Sequence, residues 1–214
     1  MDPADSAAVK KMAAELLSPA ETLRGDAMAP ILRLEFLASR LAQQNFAATL
    51  LGVPPSKLQA AYGCPECGAG PDIAHGRPGY LLDGGPAPLV LSASRSSGWV
   101  LFAAVVHPEP GLRVGVDLEN AVGTEFAGFD DVALTAREHR QLNALEPGGR
   151  AQERARLWAR KEAWLKMTGE GLRVAPDSLD VLERPGLWDL ELPASADGRD
   201  LPLGLVAALA VSSR

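Results

Sequence analysis

Asp117 and Glu119 are separated by a single residue in the stretch Arg113–Glu119, RVGVDLE. In a strand, alternate side chains share a face. Both carboxylates therefore fall on one side with Gly115, which leaves space beside them, while Val114, Val116 and Leu118 fall on the other. Adjacent carboxylates repel unless a proton or a cation stands between them. A hard cation such as Mg²⁺, which takes carboxylate and phosphate oxygens, relieves the repulsion; so does plain solvation at an exposed strand end. Further along, Trp158, Glu162 and Lys166 recur at intervals of four and form one stripe on a helix. Glu162 and Lys166 offer a carboxylate and an ammonium for proton transfer or phosphate binding. They are equally an ordinary i, i+4 ion pair, with Trp158 as a core anchor. A third grouping is the tetrad Cys64-Pro65-Glu66-Cys67 with His75 nearby. It supplies three candidate metal ligands where a structural zinc site takes four, so it reads first as a tight turn and second as a metal site.

These groups need elements to hold them. Residues 7–17 read as a short helix that Pro19 follows as a stop. In residues 30–51, Ile31, Leu34, Leu37, Leu41 and Phe46 recur at helical spacing, Pro30 suits the first turn, and Gly52 ends the helix. Residues 62–79 are turn-rich. The runs 88–94 and 99–106 read as a hairpin, and 112–118 as the strand carrying the carboxylates. Thr135 caps a short helix over 136–145. Residues 151–167 form the strongest helix, with Leu157, Trp164 and Leu165 available to pack, and 178–182, 187–192 and 203–212 read as strands. The fold class is α+β, with an N-terminal lobe over 1–110 and a C-terminal lobe over 111–214 that carries both motifs.

Composition narrows the function classes. Hydrophobic residues make up 47% of the 214, enough for a real core. The longest apolar runs, Trp99–Val106 and Leu205–Val211, are far too short to span a membrane, and the N-terminus has no basic region leading into an apolar run. A cytoplasmic protein with no membrane association is therefore expected. A formal charge of −6 argues against nucleic-acid partners. It leaves room for an anionic small ligand held by local Arg and Lys.

Taken together, the two motifs are more specific than either alone. Val114-Gly115-Val116-Asp117 is followed by forty residues (118–157) and then by Trp158-Ala159-Arg160-Lys161-Glu162-Ala163-Trp164-Leu165-Lys166. This resembles the two-part signature of the 4'-phosphopantetheinyl transferases, V-G-[IV]-D and [FW]-[ASCT]-x-K-E-[AS]-x-x-K about forty residues apart. Gly169-Glu170-Gly171-Leu172 resembles the family's G-x-G-L, and Gly76-Arg77-Pro78 its G-[KR]-P turn. Ser92 to Ser96 occupies the place of its N-x-S-H-[ST] segment. Arg33 and Arg40 resemble the arginine-bearing first helix of the siderophore-synthetase branch. The chain departs from the pattern at Ser92 and Arg95, where the family has Asn and a phosphate-contacting His. Arg is a cation at all relevant pH values and does not titrate near neutrality as His does.

The resemblance, to the surfactin-synthetase-activating or siderophore-synthetase type, implies two similar α/β lobes forming a pseudo-dimer, with the active site at the lobe junction. It implies transfer of phosphopantetheine from coenzyme A to a serine of an apo acyl or peptidyl carrier protein, with release of 3',5'-ADP. Mg²⁺, or Mn²⁺ in its place, is held by Asp117, Glu119 and Glu162. Glu162 is the general base, with Asp117 and Lys166 completing the catalytic set. Lys161, Lys166, Arg33, Arg40, Arg77, Arg95 and Ser94 are candidates for coenzyme A. A monomer serving secondary-metabolite assembly (siderophore, polyketide or nonribosomal peptide) is implied as well. Two other readings use the same residues: a degenerate coenzyme A-binding module, favoured by Arg95, and a Mg²⁺-dependent phosphohydrolase with no carrier partner. Between Arg137 and Lys166, eight basic residues face four acids. That suits docking of an acidic carrier helix, or a helix face laced with salt bridges.

Overall fold

The computed structural model describes residues 3–192 and 198–213. Residues 1, 2, 193–197 and 214, which the two expected lobes include, lie outside the described residues. Helices and antiparallel sheets occur together, so the class is α+β. The chain divides into two compact units. One ends at Leu91 and also takes Ala104–Pro108; the other comprises Ser92–Ala103 and the chain from Glu109 onward.

The first unit carries helices α1 (Pro3–Leu16), α2 (Pro19–Asp26) and α3 (Pro30–Leu51). Pro19 does not stop a helix and leave a loop: it is the first residue of α2. Ser18 accepts the Glu21 amide (3.2 Å) and Glu21 returns to the Ser18 amide (3.1 Å), a reciprocal cap that opens a new helix where the proline's missing N–H costs nothing. Phe36, Leu37 and Leu41 of α3 bury against Ala13 and Leu17, whereas Ile31 is exposed. Short strands follow: β1 (Leu58–Ala60), β2 (Tyr62–Cys64), β3 (Gly68–Gly70), β4 (Tyr80–Leu82) and β5 (Gly85–Pro86). They pair as the antiparallel sheet β1-β4-β5 and the ribbon β2-β3.

Strands β6 (Leu89–Ser96) and β7 (Trp99–Val106) form the expected hairpin. In the second unit, β8 (Arg113–Asn120) is followed by α4 (Phe129–Ala133), α5 (Ala136–Asn143), α6 (Pro147–Thr168), β9 (Leu187–Leu190) and β10 (Leu205–Ser212). The strands make one antiparallel sheet in the order β8-β10-β9, with Asp117 opposite Ala208 and Glu119 opposite Val206. Helix α6 packs on β8 and β10. Its Leu157, Ala159, Ala163 and Leu165 join Leu142, Val181, Ala208 and Ala210 in the core. The expected strand over 178–182 is absent. The backbone there is satisfied by side chains instead: Val181 N–H donates to Glu138 (2.9 Å), and Arg160 donates to Val181 O (2.9 Å) and Leu182 O (3.3 Å).

None of the described helices is long and apolar enough to cross a membrane.

Candidate active site

Gly115 fixes how β8 and α6 meet. A Cβ at this position would lie 2.0 Å from Ala163 O and 2.5 Å from Met167 N, so the helix backbone takes up the room that the sequence suggested lies open beside the carboxylates. This close approach brings the residues two apart on β8 and four apart on α6 to one place. Asp117 is 2% exposed. Its Oδ1 accepts from Ser94 Oγ (2.6 Å) and from Lys166 Nζ (2.6 Å), and Lys166 also donates to Ser94 Oγ (3.0 Å). Ser92, two residues before Ser94 and so on the same face of β6, accepts the Val116 N–H (3.0 Å). It ties the Ser94 segment to the Asp117 strand. The sequence reading marked Ser92 only as a departure from the family pattern; the alternation Ser92-Ala93-Ser94 was the available signal.

The other two carboxylates are half-buried. Burial pushes Glu119 up to about 7, with Asp117 adding to the rise and Lys166 opposing it. Glu162 is also raised, by burial first and by Asp117 second, again against Lys166. The Asp117 Oδ2 atom is buried and has no hydrogen-bond partner. A buried, unsatisfied carboxylate oxygen beside two carboxylates of raised pKa is a donor set that fits a hard divalent cation. The three carboxylates do not close into a tight cage by themselves. Among the described residues, the one group of three whose ligand atoms all lie within 4.8 Å is Cys64, Cys67 and His75, in the first unit.

Lys161 does not belong with the phosphate-binding candidates. It lies five residues before Lys166, on the opposite side of α6, and is fully buried. Its ammonium pairs with Glu138 (2.7 Å) and donates to Pro176 O (2.8 Å) and Leu179 O. Burial lowers its pKa and Glu138 opposes the drop. Arg40 is likewise engaged internally. It donates to Tyr62 Oη and to Ala74 O (3.2 Å), and its guanidinium lies over the Phe36 ring (5.0 Å) and the Tyr62 ring (4.4 Å). Arg33 is ion-paired with Asp26 (2.5 Å). Arg77 and Arg95 have exposed side chains, each within its own unit.

The basic stretch resolves in favour of salt bridges. Arg137 pairs with Asp180 and Glu183, Arg154 with Asp130, Arg156 with Glu153 and Asp189, and Arg160 with Asp189. With Lys161 on Glu138 and Lys166 on Asp117, six of the eight bases are neutralised within the unit.

The strand–helix pair thus presents a buried aspartate, two half-buried carboxylates and an ammonium at one place. Residues 113–187 match the model of the 4'-phosphopantetheinyl transferase superfamily. The chain is also similar to "4'-phosphopantetheinyl transferase 1" of Fusarium mangiferae, with 32% identity over 117 residues, 45% of this chain and 40% of the relative. The chain thus spans less than half the length of the curated relative it matches.

Proposed function

We propose that the chain is a 4'-phosphopantetheinyl transferase. It moves the phosphopantetheine arm of coenzyme A onto a serine hydroxyl of an apo acyl or peptidyl carrier protein and releases 3',5'-ADP. The observation that supports this most is the coincidence of the family match at 113–187 with the strand–helix pair where Asp117 Oδ2 is buried and unpartnered.

Asp117, Glu119 and Glu162 are the residues that would hold Mg²⁺, with Mn²⁺ as a substitute. When bound, the ion supplies charge neutralisation for the pyrophosphate and its leaving group. The remaining work falls to the chain. The carrier serine oxygen forms a bond to the β-phosphorus while the bond from that phosphorus to the 3',5'-ADP oxygen breaks. Glu162, whose raised pKa brings it toward the working range of a base at neutral pH, takes the serine proton directly or through water. Lys166 contributes positive charge to the phosphate oxygens, and Ser94 orients both Lys166 and Asp117. Arg95 is a fixed cation for a coenzyme A phosphate in place of the family's His. Arg77 and Arg33 are further candidates from the first unit. We assign the chain to the surfactin-synthetase-activating or siderophore-synthetase type, acting as a cytoplasmic monomer in secondary-metabolite assembly.

Incubation of the chain with an apo carrier, Mg²⁺ and coenzyme A labelled on the pantetheine arm tests the reading. Label covalently on the carrier, lost with a chelator, is the expected result. Release of 3',5'-ADP with no label on any of several carriers would assign a phosphohydrolase instead.

A further inference from the structure

The first unit contains a built cluster that the transfer reaction does not use. Cys64 Sγ, Cys67 Sγ and a His75 ring nitrogen all lie within 4.8 Å of one another. Three separate features hold them there. Cys64 ends β2 and pairs with Gly68 across the ribbon, so the chain turns back over Pro65 to Cys67. The amide N–H groups of Cys67 and Glu66 point at the Cys64 sulfur, as donors do around a metal-bound thiolate. His75 follows Cys67 by eight residues. Gly63 and Arg77 exchange both backbone hydrogen bonds (2.9 and 2.8 Å), which sets His75 beside the ribbon. Gly76 permits this approach: it sits at φ +85°, and a Cβ there would lie 2.2 Å from Gly63 O.

Behind the cluster, one buried network fixes both arms. Tyr62, two residues before Cys64, is fully buried and accepts from Gln43 (2.8 Å) and Arg40 while donating to Glu21 (3.2 Å). Arg40 and Arg24 both donate to Ala74 O (3.2 and 3.0 Å), the carbonyl immediately before His75. A disulfide between Cys64 and Cys67 would leave the converging imidazole without a purpose.

We propose that Cys64, Cys67 and His75 bind one Zn²⁺ ion, with water at the fourth position, as a staple distinct from the carboxylate site. Two thiolates and an imidazole are the donor set of a borderline-soft tetrahedral cation. Bond lengths of ~2.3 Å to sulfur and ~2.0–2.1 Å to nitrogen place tetrahedral ligands roughly 3.5–3.8 Å apart. Closure of about an ångström from the present 4.8 Å limit completes the site. The staple joins the β2-β3 ribbon to the Gly76-Arg77-Pro78 turn and so presets the direction of Arg77.

The test is Co²⁺ substitution of the whole wild-type chain after metal removal under reducing conditions, read by absorption. One equivalent of Co²⁺ should give a thiolate charge-transfer band and tetrahedral visible bands. Carboxylate-bound Co²⁺ gives neither a thiolate band nor its intensity, so binding at Asp117 is not mistaken for it. Cys67→Ser should remove roughly half of the charge-transfer intensity. His75→Ala should weaken Co²⁺ binding at least about tenfold, with unchanged far-ultraviolet circular dichroism. A Co²⁺ spectrum without thiolate character overturns the proposal. So does a Cys64–Cys67 disulfide, seen as the loss of two hydrogens in the mass, that persists when the protein is purified with zinc present. Neither readout depends on phosphopantetheine transfer.

Discussion

Replacing Lys161 by Met separates a structural lysine from Lys166, the lysine proposed for catalysis, inside a single motif. The substitution nearly conserves volume but strands the Glu138 carboxylate, which is fully buried and would keep only the amide donors of Thr135 (2.8 Å) and Val181 (2.9 Å). It also removes the donor to Pro176 O and Leu179 O. Removing one partner of a buried ion pair costs ~3–5 kcal/mol. In a domain of this size each kcal/mol moves the melting temperature by ~2–4 °C, so a fall on the order of 10 °C is expected. Adding Glu138→Gln should recover part of the loss, because a neutral amide oxygen still accepts the two N–H groups without leaving a buried charge. The assay is thermal unfolding by circular dichroism, alongside transfer rate measured well below the melting point. A Lys161→Met chain that melts like the parent yet loses turnover would refute the structural role. That pattern would put Lys161 in the active site.

Three further outcomes follow from the geometry. Lys166→Met should lower the transfer rate by at least about tenfold with a smaller fall in melting temperature than Lys161→Met, since Lys166 is partly exposed and the buried Asp117 keeps Ser94; this is checked by the same two assays. Gly115→Ala should cost ~1–3 kcal/mol or more, because its Cβ meets the α6 backbone rather than a movable side chain; denaturant unfolding measures it, and an unchanged midpoint would contradict the close approach. Glu119 has its folded pKa raised from 4.5 to about 7, so the folded state holds the extra proton between those values. Its contribution to stability is therefore complete below about pH 4.5 and lost as pH rises through about 7. Glu119→Gln should flatten the metal-free stability profile across that window, as followed by melting temperature against pH.

Part of the candidate site was legible because spacing within each element is dictated by secondary structure. Alternation along residues 113–119 put Asp117 and Glu119 on one face and the four-residue stripe on 151–167 aligned Glu162 with Lys166, but it was the resemblance to the two-part family signature that joined the two elements. Side-chain partners that lie far apart in sequence were not legible. Lys161 follows Arg160 in a run that looks solvent-facing, and only the buried Glu138 from α5 shows why it points inward. Arg40 sits on a helix that suggested anion binding, but Tyr62 and Ala74 O claim its donors. The same limit applies to the fold. Pro19 reads as a stop or a start depending on whether Ser18 and Glu21 reach each other's backbone. Residues 178–182 have a strand's composition, but side chains from α5 and α6 bind the backbone groups that a neighbouring strand would have used.

The most direct measurement is the intact mass of an apo carrier protein after incubation with the chain, coenzyme A and Mg²⁺, with Asp117→Ala run in parallel. The proposed function predicts one added phosphopantetheine group on the carrier serine, abolished by chelation and by Asp117→Ala. An unmodified carrier across peptidyl and acyl types, from a folded chain that still binds coenzyme A, would contradict it and leave a binding module in its place.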